Sequence, residues 1–131
     1  MFRFLSLLLL LASLVGVECR AQALTPETIV QRQVEAYNAR DVDRFASFYA
    51  DKVQLITMAT GETDSGIEKL RKTYGSMFKQ YPKLKCTVVA RIVQDDFVID
   101  KEVVEGVSAS PIFATAIYQV KDGKIVKVWF L

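Results

Sequence analysis

The sequence predicts an α+β domain in which three helices come first and a mostly antiparallel sheet follows. Apolar residues recur at helical spacing through residues 26–49 and again through 67–80. From residue 84 onward, runs rich in β-branched and aromatic residues alternate with short polar turns, among them the hairpin signal Asp122-Gly123. Helices gathered ahead of neighbouring strands favour α+β over an alternating α/β arrangement.

Residues 1–23 precede this domain and are predicted to be a secretory signal peptide. Arg3 supplies a positive charge, an apolar run follows it, and Ala21-Gln22-Ala23 has the small-x-small pattern of a cleavage site. The apolar run is shorter than the roughly 20 residues that cross a bilayer. We therefore expect a periplasmic or secreted mature chain, residues 24–131, without a stable membrane span after processing.

Two other interpretations of the N-terminus stay open. The segment could remain attached as an anchor helix. Cys19 could also carry a lipid, but lipoprotein cleavage requires a small residue before the cysteine and Glu18 is not small.

The first two helices have recognisable start signals. Thr25 can cap the first helix, Pro26 suits its first position, and Glu27 favours the positive end of the helix dipole. Residues 38–41 interrupt the helical pattern, and Asp41 at their end can cap a second helix over residues 42–49.

A strand and a third helix are predicted next. Val53–Met58 is predicted to be the first strand, and residues 59–66 are of types that form turns. Ser65 or Asp64 can cap a helix that begins at Ile67 and ends near Gln80, ahead of Pro82. Four further strands are predicted: Leu84–Val93, Phe97–Gly106, Ile112–Val120 and Lys124–Leu131.

The residue inventory excludes several classes of chemistry. The chain has no histidine, so it has no imidazole metal ligand and no Ser-His or Cys-His nucleophile pair. Cys86 is the one cysteine left after processing, which rules out an intrachain disulfide. The six glycines form no phosphate-binding loop, and a net charge of +2 without a basic cluster does not indicate nucleic-acid binding. We therefore expect no metal, no other cofactor and no nucleic-acid partner.

Two of the predicted strands are apolar on both faces. Cys86–Val93 and Ile125–Leu131 lack the polar outer positions of a sheet that has one face in water. Because little sequence is left to cover that face, a second copy of the chain is expected there. Trp129 lies on the opposite face from Val128 and is therefore assigned to a homodimer interface.

Four segments of the sequence resemble a known family. They are Tyr37-Asn-Ala-Arg-Asp-Val-Asp43, Phe48-Tyr-Ala-Asp51, Gly66-Ile67 and Asp122-Gly-Lys-Ile-Val126. Together with the order of elements, they resemble the nuclear transport factor 2-like superfamily, and more narrowly its ketosteroid isomerase and SnoaL-like branch. The resemblance covers residues 24–131 and implies a cone-shaped roll: three helices on a curved, mixed, mostly antiparallel sheet, with a ligand pocket at the open end.

The catalytic groups of the isomerases are not retained at the matching positions. That family uses a tyrosine and a protonated aspartic acid to stabilise an oxyanion, together with an aspartate base. Counting from the motifs places Gln33 at the tyrosine, Thr57 at the base and Thr115 at the protonated acid. Tyr74 matches a supporting tyrosine. A threonine hydroxyl is not a base near pH 7, so this route of proton abstraction is not expected.

The resemblance and strand parity together predict an apolar, aromatic pocket with a few polar groups, suited to a small, mostly apolar, neutral ligand. The predicted lining residues are Gln33, Tyr37, Thr57, Tyr74, Phe78, Phe113, Thr115, Ile117, Gln119, Val126, Val128 and Phe130.

Three functions remain in competition. The first is an exported small-molecule-binding domain. The second is an isomerase or dehydratase that uses Tyr37, Tyr74 and a carboxylate such as Glu62, Asp64 or Glu105. The third is a protein-interaction module that uses the apolar sheet face. A carboxylate inside the cavity with a raised pKa would favour the enzyme.

Overall fold

The computed structural model describes residues 23–131, so the expected signal peptide lies outside this range except for Ala23. The described elements are helices α1 (Pro26–Asn38), α2 (Val42–Ser47) and α3 (Ile67–Gln80), and strands β1 (Tyr49–Thr57), β2 (Thr63–Ser65), β3 (Lys85–Gln94), β4 (Phe97–Glu105), β5 (Ile112–Lys121) and β6 (Lys124–Phe130). None of the helices in this range combines the length and the apolar character needed to cross a membrane.

The six strands form one open, mixed sheet in the order β2-β1-β6-β5-β4-β3. Strands β1 and β6 are parallel, and every other neighbouring pair is antiparallel. The helices pack on one face of this sheet. The α+β class and the mixed, mostly antiparallel sheet are therefore confirmed.

Thr25 and Asp41 cap their helices as predicted. Thr25 Oγ1 accepts a hydrogen bond from the Thr28 amide at 3.2 Å, and the Asp41 carboxylate accepts one from the Arg44 amide at 3.0 Å. The predicted bounds of α3, Ile67 to Gln80, are confirmed, but the predicted cap by Ser65 or Asp64 is wrong, because the N-cap is Gly66, which offers no side chain. Asp64 and Ser65 are instead paired with β1.

Long-range pairing accounts for the strand boundaries that the sequence did not predict. β1 begins at Tyr49 and not at Val53, because Tyr49 is in parallel register with Ile125 of β6. β2 lies within the predicted turn at residues 59–66, where Thr63 pairs with Ile56. Pairing with β1 therefore places these turn-forming residues in an edge strand of the sheet.

The core is an aromatic cluster between the helices and the inner face of the sheet. Phe45 of α2 lies at its centre, with ring centroids 4.6 Å from Tyr74 and 5.0 Å from Tyr49. Phe78 packs edge-on to Tyr37 at 5.4 Å. Because these rings come from α1, α2, α3 and β1, the cluster fixes the helices relative to the sheet.

Alternation along β5 assigns its side chains to two faces. Ala116 and Tyr118 are buried under the helices, whereas Phe113 on the other face is 73% exposed. Ile117 pairs with Trp129 of β6, and Trp129 lies 6.3 Å from the ring of Phe97. The outer face therefore carries an apolar surface, which we call the outer sheet face and define by Phe97, Phe113, Ile117 and Trp129.

Candidate functional site

A cavity of about 430 Å³ lies between the helices and the inner face of the sheet. Its walls combine aliphatic side chains with six aromatic ones, Tyr37, Phe45, Tyr49, Tyr74, Tyr118 and Phe130. Its polar groups include Gln33, Thr57, Thr73, Cys86 and three carboxyl groups, Glu62, Asp64 and Glu102. The volume is within the range of small-molecule sites.

Five residues expected in the pocket do line this cavity: Gln33, Tyr37, Thr57, Tyr74 and Phe130. They come from α1, β1, α3 and β6. The structure thus brings together residues from both halves of the chain.

The four residues expected from β5 do not line the cavity, because the parity of that strand is the reverse of the predicted one. Phe113, Thr115, Ile117 and Gln119 lie on the outer sheet face side, whereas Ile112, Ala114 and Tyr118 line the cavity. The count that placed Thr115 at the position of the protonated acid is therefore wrong.

Three further predicted residues lie elsewhere. Phe78 and Val128 are buried in the core and do not reach the cavity wall. Val126 is half-buried beside a register shift between β5 and β6, which displaces it from the inward row.

Glu102 is the functional group that sequence reasoning missed. It belongs to β4, is only 6% exposed, and lines the cavity. Desolvation by burial raises the pKa of its carboxyl to about 7, with a further increase from Asp100, against decreases from Tyr118, Cys86 and Arg91. Near neutral pH the carboxyl therefore exchanges readily between its acid and carboxylate forms.

A chain of three hydrogen bonds leads to Glu102. The Tyr49 hydroxyl donates to Gln33 Oε1 at 3.0 Å, and Gln33 Nε2 donates to the Tyr118 hydroxyl at 3.2 Å. Tyr118 in turn donates to Glu102 Oε1 at 2.9 Å. Because Oε1 accepts this bond, Oε2 is the oxygen left to carry the proton of the neutral acid.

The tyrosines around the cavity are neutral hydrogen-bonding groups. Burial is the largest cause that raises the pKa of Tyr37, Tyr49, Tyr74 and Tyr118 above its usual value. None of them therefore supplies a phenolate base near neutral pH, and Glu102 is the titrating group deep in the cavity.

Cys86 lines the cavity close to Glu102. Burial, followed by the charge of Glu102, raises the pKa of its thiol to about 12, so the thiol is protonated and a poor nucleophile. Asn38, at the end of α1, fixes the backbone of Cys86 from both sides: its Oδ1 accepts from the amide at 2.7 Å and its Nδ2 donates to the carbonyl at 2.9 Å. This clamp holds the edge strand β3 against the helix.

A partly buried ion pair, in which Asp100 is fully buried and Arg91 is 14% exposed, lies next to Glu102 on β4. Arg91 donates through Nε and Nη2 to the two carboxylate oxygens of Asp100, at 2.7 and 2.8 Å. Its Nη1 donates to Gln31 at 3.0 Å. Arg91 is in register with Asp100, whereas Glu105 pairs with Lys85 at the other end of β3.

The sequence contains only a weak indication that Glu102 is buried. Val98, Asp100, Glu102 and Val104 occupy alternate positions of β4, and the first three are buried. An acidic residue in such a row is usually taken as solvent-facing. The partners that make its burial acceptable, Tyr118 and Cys86, come from other strands and are not visible locally.

Within residues 23–131 no group of three or more Cys, Asp or Glu side chains is arranged to hold a metal ion. Glu62, Asp64 and Glu102 share a cavity without forming such a cluster.

The helices on an open mixed sheet, with a cavity at the helix-covered face, define a nuclear transport factor 2-like domain. Residues 30–128 match the SnoaL-like domain, and the chain belongs to this family. No curated protein matches the sequence of this chain.

Solved structures with the same fold share little sequence with this chain. A cystatin-fold protein from Novosphingobium aromaticivorans has a TM-score of 0.74 and 22% identity, over 82% of this chain and 98% of that one. A polyketide cyclase-like protein from Sinorhizobium meliloti has a TM-score of 0.69 and 19% identity, over 79% and 93%. A ketosteroid isomerase-like protein from Kribbella flavida has a TM-score of 0.70 and 16% identity, over 80% and 75%. At this identity the likeness shows the fold alone.

Proposed function

We propose that the cavity binds a small, mostly apolar organic molecule and that Glu102 exchanges a proton with it, as in an isomerisation or a dehydration. The observation that carries this proposal is a buried carboxyl group that lines the cavity and accepts a hydrogen bond from Tyr118, with a pKa that burial raises to about 7. Groups with such a pKa in a cleft are candidates for general acid–base catalysis.

The hydrogen-bond chain suits Glu102 to this role. Tyr118 holds Oε1, so Oε2 delivers a proton from the acid form or receives one in the carboxylate form. Gln33 and Tyr49 fix Tyr118 behind it, which keeps the carboxyl in one orientation. A carboxyl group that is already held in its reactive orientation needs little rearrangement as the reaction reaches the transition state.

Two other carboxyl groups could complete a proton transfer. Glu62 and Asp64 line the same cavity but belong to the exposed turn and to β2, where water reaches them. Carboxyl groups in different environments are a recurring arrangement for acid and base roles. Glu102 is the deep group of this set, and Glu62 and Asp64 are the outer ones.

Binding without turnover is the second candidate. Gln33 and Thr57 occupy the cavity wall at the positions matched to the tyrosine and the base of the isomerases. Because neither side chain abstracts a proton near pH 7, we expect no turnover of a steroid substrate by the isomerase route. Robust isomerisation of a Δ5-3-ketosteroid would contradict this expectation.

We also propose that the domain works outside the cytoplasm. The support is the leader pattern of residues 1–23. Mass spectrometry of the exported protein should give a mature chain that begins at Leu24. A mature chain that retains Met1, or that begins at a lipid-modified Cys19, would contradict cleavage at this position.

Deuterium exchange tests the proposed chemistry. Small β,γ-unsaturated ketones and β-hydroxy ketones are incubated with the protein in D2O, and exchange at carbon is followed by NMR. The Glu102→Gln variant keeps an acceptor for Tyr118 but carries no exchangeable carboxyl proton, so we expect exchange to fall by about 100-fold or more. Glu105→Gln removes a carboxyl from the same strand outside the cavity and should leave exchange unchanged. Compounds that bind without any Glu102-dependent exchange would favour the binding function.

A further inference from the structure

We propose that the natural ligand is an organic cation: a small apolar body carrying a basic nitrogen, which pairs with Glu102 and is attracted by the carboxylates at the cavity mouth. This inference rests on the proposed role of the cavity as the binding site and names the charge of its occupant. It departs from the neutral ligand expected from the sequence, because the structure brings carboxyl groups into the cavity.

The charges that line the cavity all have one sign. Glu62, Asp64 and Glu102 contribute carboxyl groups, and no lysine or arginine is among the lining residues. Lys69 lies 3.8 Å from Asp64, but both side chains of this pair are about half exposed and Lys69 is not part of the wall. Because water screens such an exposed pair, Lys69 offsets little of the negative potential inside the cavity.

Glu102 has no cationic partner within the described part of the chain. The nearby guanidinium, Arg91, is already occupied by Asp100 through Nε and Nη2 and by Gln31 through Nη1. Ionised Glu102 is therefore a buried carboxylate supported only by hydrogen bonds, and the raised pKa reflects the cost of that state. A cation bound in the cavity would supply the missing counter-charge.

The walls suit the rest of such a ligand. Tyr37, Phe45, Tyr74 and Phe130 present rings to the cavity and can bury an apolar body. Aromatic faces also attract a cation through the ring quadrupole. Aromatic rings together with carboxylates form a suitable binding site for an ammonium group. An anion in the same cavity would be repelled by the carboxylates.

Three probes of nearly equal shape test the inference: benzylamine as the cation, benzyl alcohol as the neutral compound and benzoate as the anion. Their dissociation constants for the full domain are measured by NMR titration at pH 7. We expect benzylamine to bind at least about tenfold more tightly than benzyl alcohol, since a buried charge pair exceeds a neutral hydrogen bond by this order. Benzoate should be the weakest of the three.

Variants assign the preference to the carboxyl groups. Glu102→Gln should reduce the preference for benzylamine over benzyl alcohol by about tenfold, while the affinity for benzyl alcohol stays similar. The double variant Glu62→Gln, Asp64→Asn neutralises the two outer carboxyl groups of the cavity and should weaken the binding of benzylamine by a smaller factor. Glu105→Gln, which removes a carboxyl outside the cavity, is the matched control and should keep the full preference.

The outcomes separate this inference from the proposed function. Equal or tighter binding of benzyl alcohol overturns the organic cation and leaves the cavity as a binding site for neutral molecules. A benzylamine preference that survives Glu102→Gln also overturns it, because the cation would then be held elsewhere. If none of the three probes perturbs the resonances of cavity residues, both the inference and the proposed function fail.

Discussion

Tyr118 and Glu102 lie on neighbouring strands, β5 and β4, with the phenol hydroxyl 2.9 Å from Oε1 of the carboxyl. Both side chains are more than nine-tenths buried. This hydrogen bond stabilises the carboxylate, yet desolvation outweighs it, so the pKa of Glu102 is raised to about 7. The balance between the two effects makes the deepest carboxyl of the cavity responsive near neutral pH.

Stability should depend on pH through Glu102. The pKa of Glu102 is about 7 in the folded protein, whereas an unperturbed glutamate has a pKa of 4.5. Between these two values the folded state keeps a proton that the unfolded state has lost, so folding favours the protonated form. The free energy of unfolding contributed by Glu102 is therefore highest below pH 4.5 and falls as the pH rises toward 7, by roughly 3 kcal/mol. Cys86 and Tyr118 stay neutral throughout this window because burial raises their pKa values.

Urea unfolding at pH 5 and pH 8 measures this effect. We expect Glu102→Gln to be less sensitive to pH over this range than the wild-type protein, since Gln carries no titrating proton. Glu105→Gln serves as the exposed control. An equal loss of stability between pH 5 and pH 8 in the wild-type and Glu102→Gln proteins would assign the effect to another group.

Gln33 should stabilise the fold through its two tyrosine partners. Gln33→Leu leaves the buried Tyr49 hydroxyl without its acceptor and deprives Tyr118 of a donor, which should cost about 1–3 kcal/mol. Adding Tyr49→Phe removes the stranded hydroxyl and should restore part of the loss. Gln80→Leu, at the exposed end of α3, is the control for the change of residue type. Equal unfolding free energies for the two single variants would argue against the hydrogen-bond chain.

Arg91 should matter more to stability than an exposed arginine with an equally short ion pair. Arg91→Met leaves Asp100, which is fully buried, without its counter-charge and should cost about 3–5 kcal/mol. The double variant Arg91→Met, Asp100→Leu should recover most of this loss. Arg71, 2.7 Å from the exposed Asp43, is the comparison, and Arg71→Met should cost less than about 1 kcal/mol. Chemical denaturation of the four proteins measures the differences, and similar losses for the two single variants would be the contrary result.

The outer sheet face is expected to pair with a second copy of the chain. A stable dimer buries roughly 1,200–2,000 Å² in total, with aromatic residues near the centre. Trp129, packed between Phe97 and Lys127, is the residue we assign there. Trp129→Asp should weaken association by several kcal/mol, because it places an unpaired charge in the interface.

Analytical ultracentrifugation at micromolar concentration tests this expectation. Gln80→Asp adds the same charge on α3, away from the sheet, and should not change the association. A monomeric wild-type protein, or a Trp129→Asp variant that dimerises as well as the wild type, would rule out this interface.

The sequence by itself determined the α+β class and, within residues 23–131, the three helices and five of the six strands. It did so because helix caps, hydrophobic periodicity and hairpin turns are local signals, as at Thr25, Asp41 and Asp122-Gly123. The same periodicity placed Gln33, Tyr37 and Tyr74 on the cavity side of their helices.

Only the tertiary structure decided which face of β5 meets the helices and which acidic residue is buried. Both faces of β5 carry large apolar residues, since Phe113 and Ile117 share the outer face with Thr115 and Gln119, so alternation alone did not assign Tyr118 to the cavity side. Glu102 is acceptable in the interior because Tyr118 of β5 donates to it and Cys86 of β3 lies beside it, and both contacts arise from strand pairing. The site therefore depends on long-range register, which local propensity does not encode.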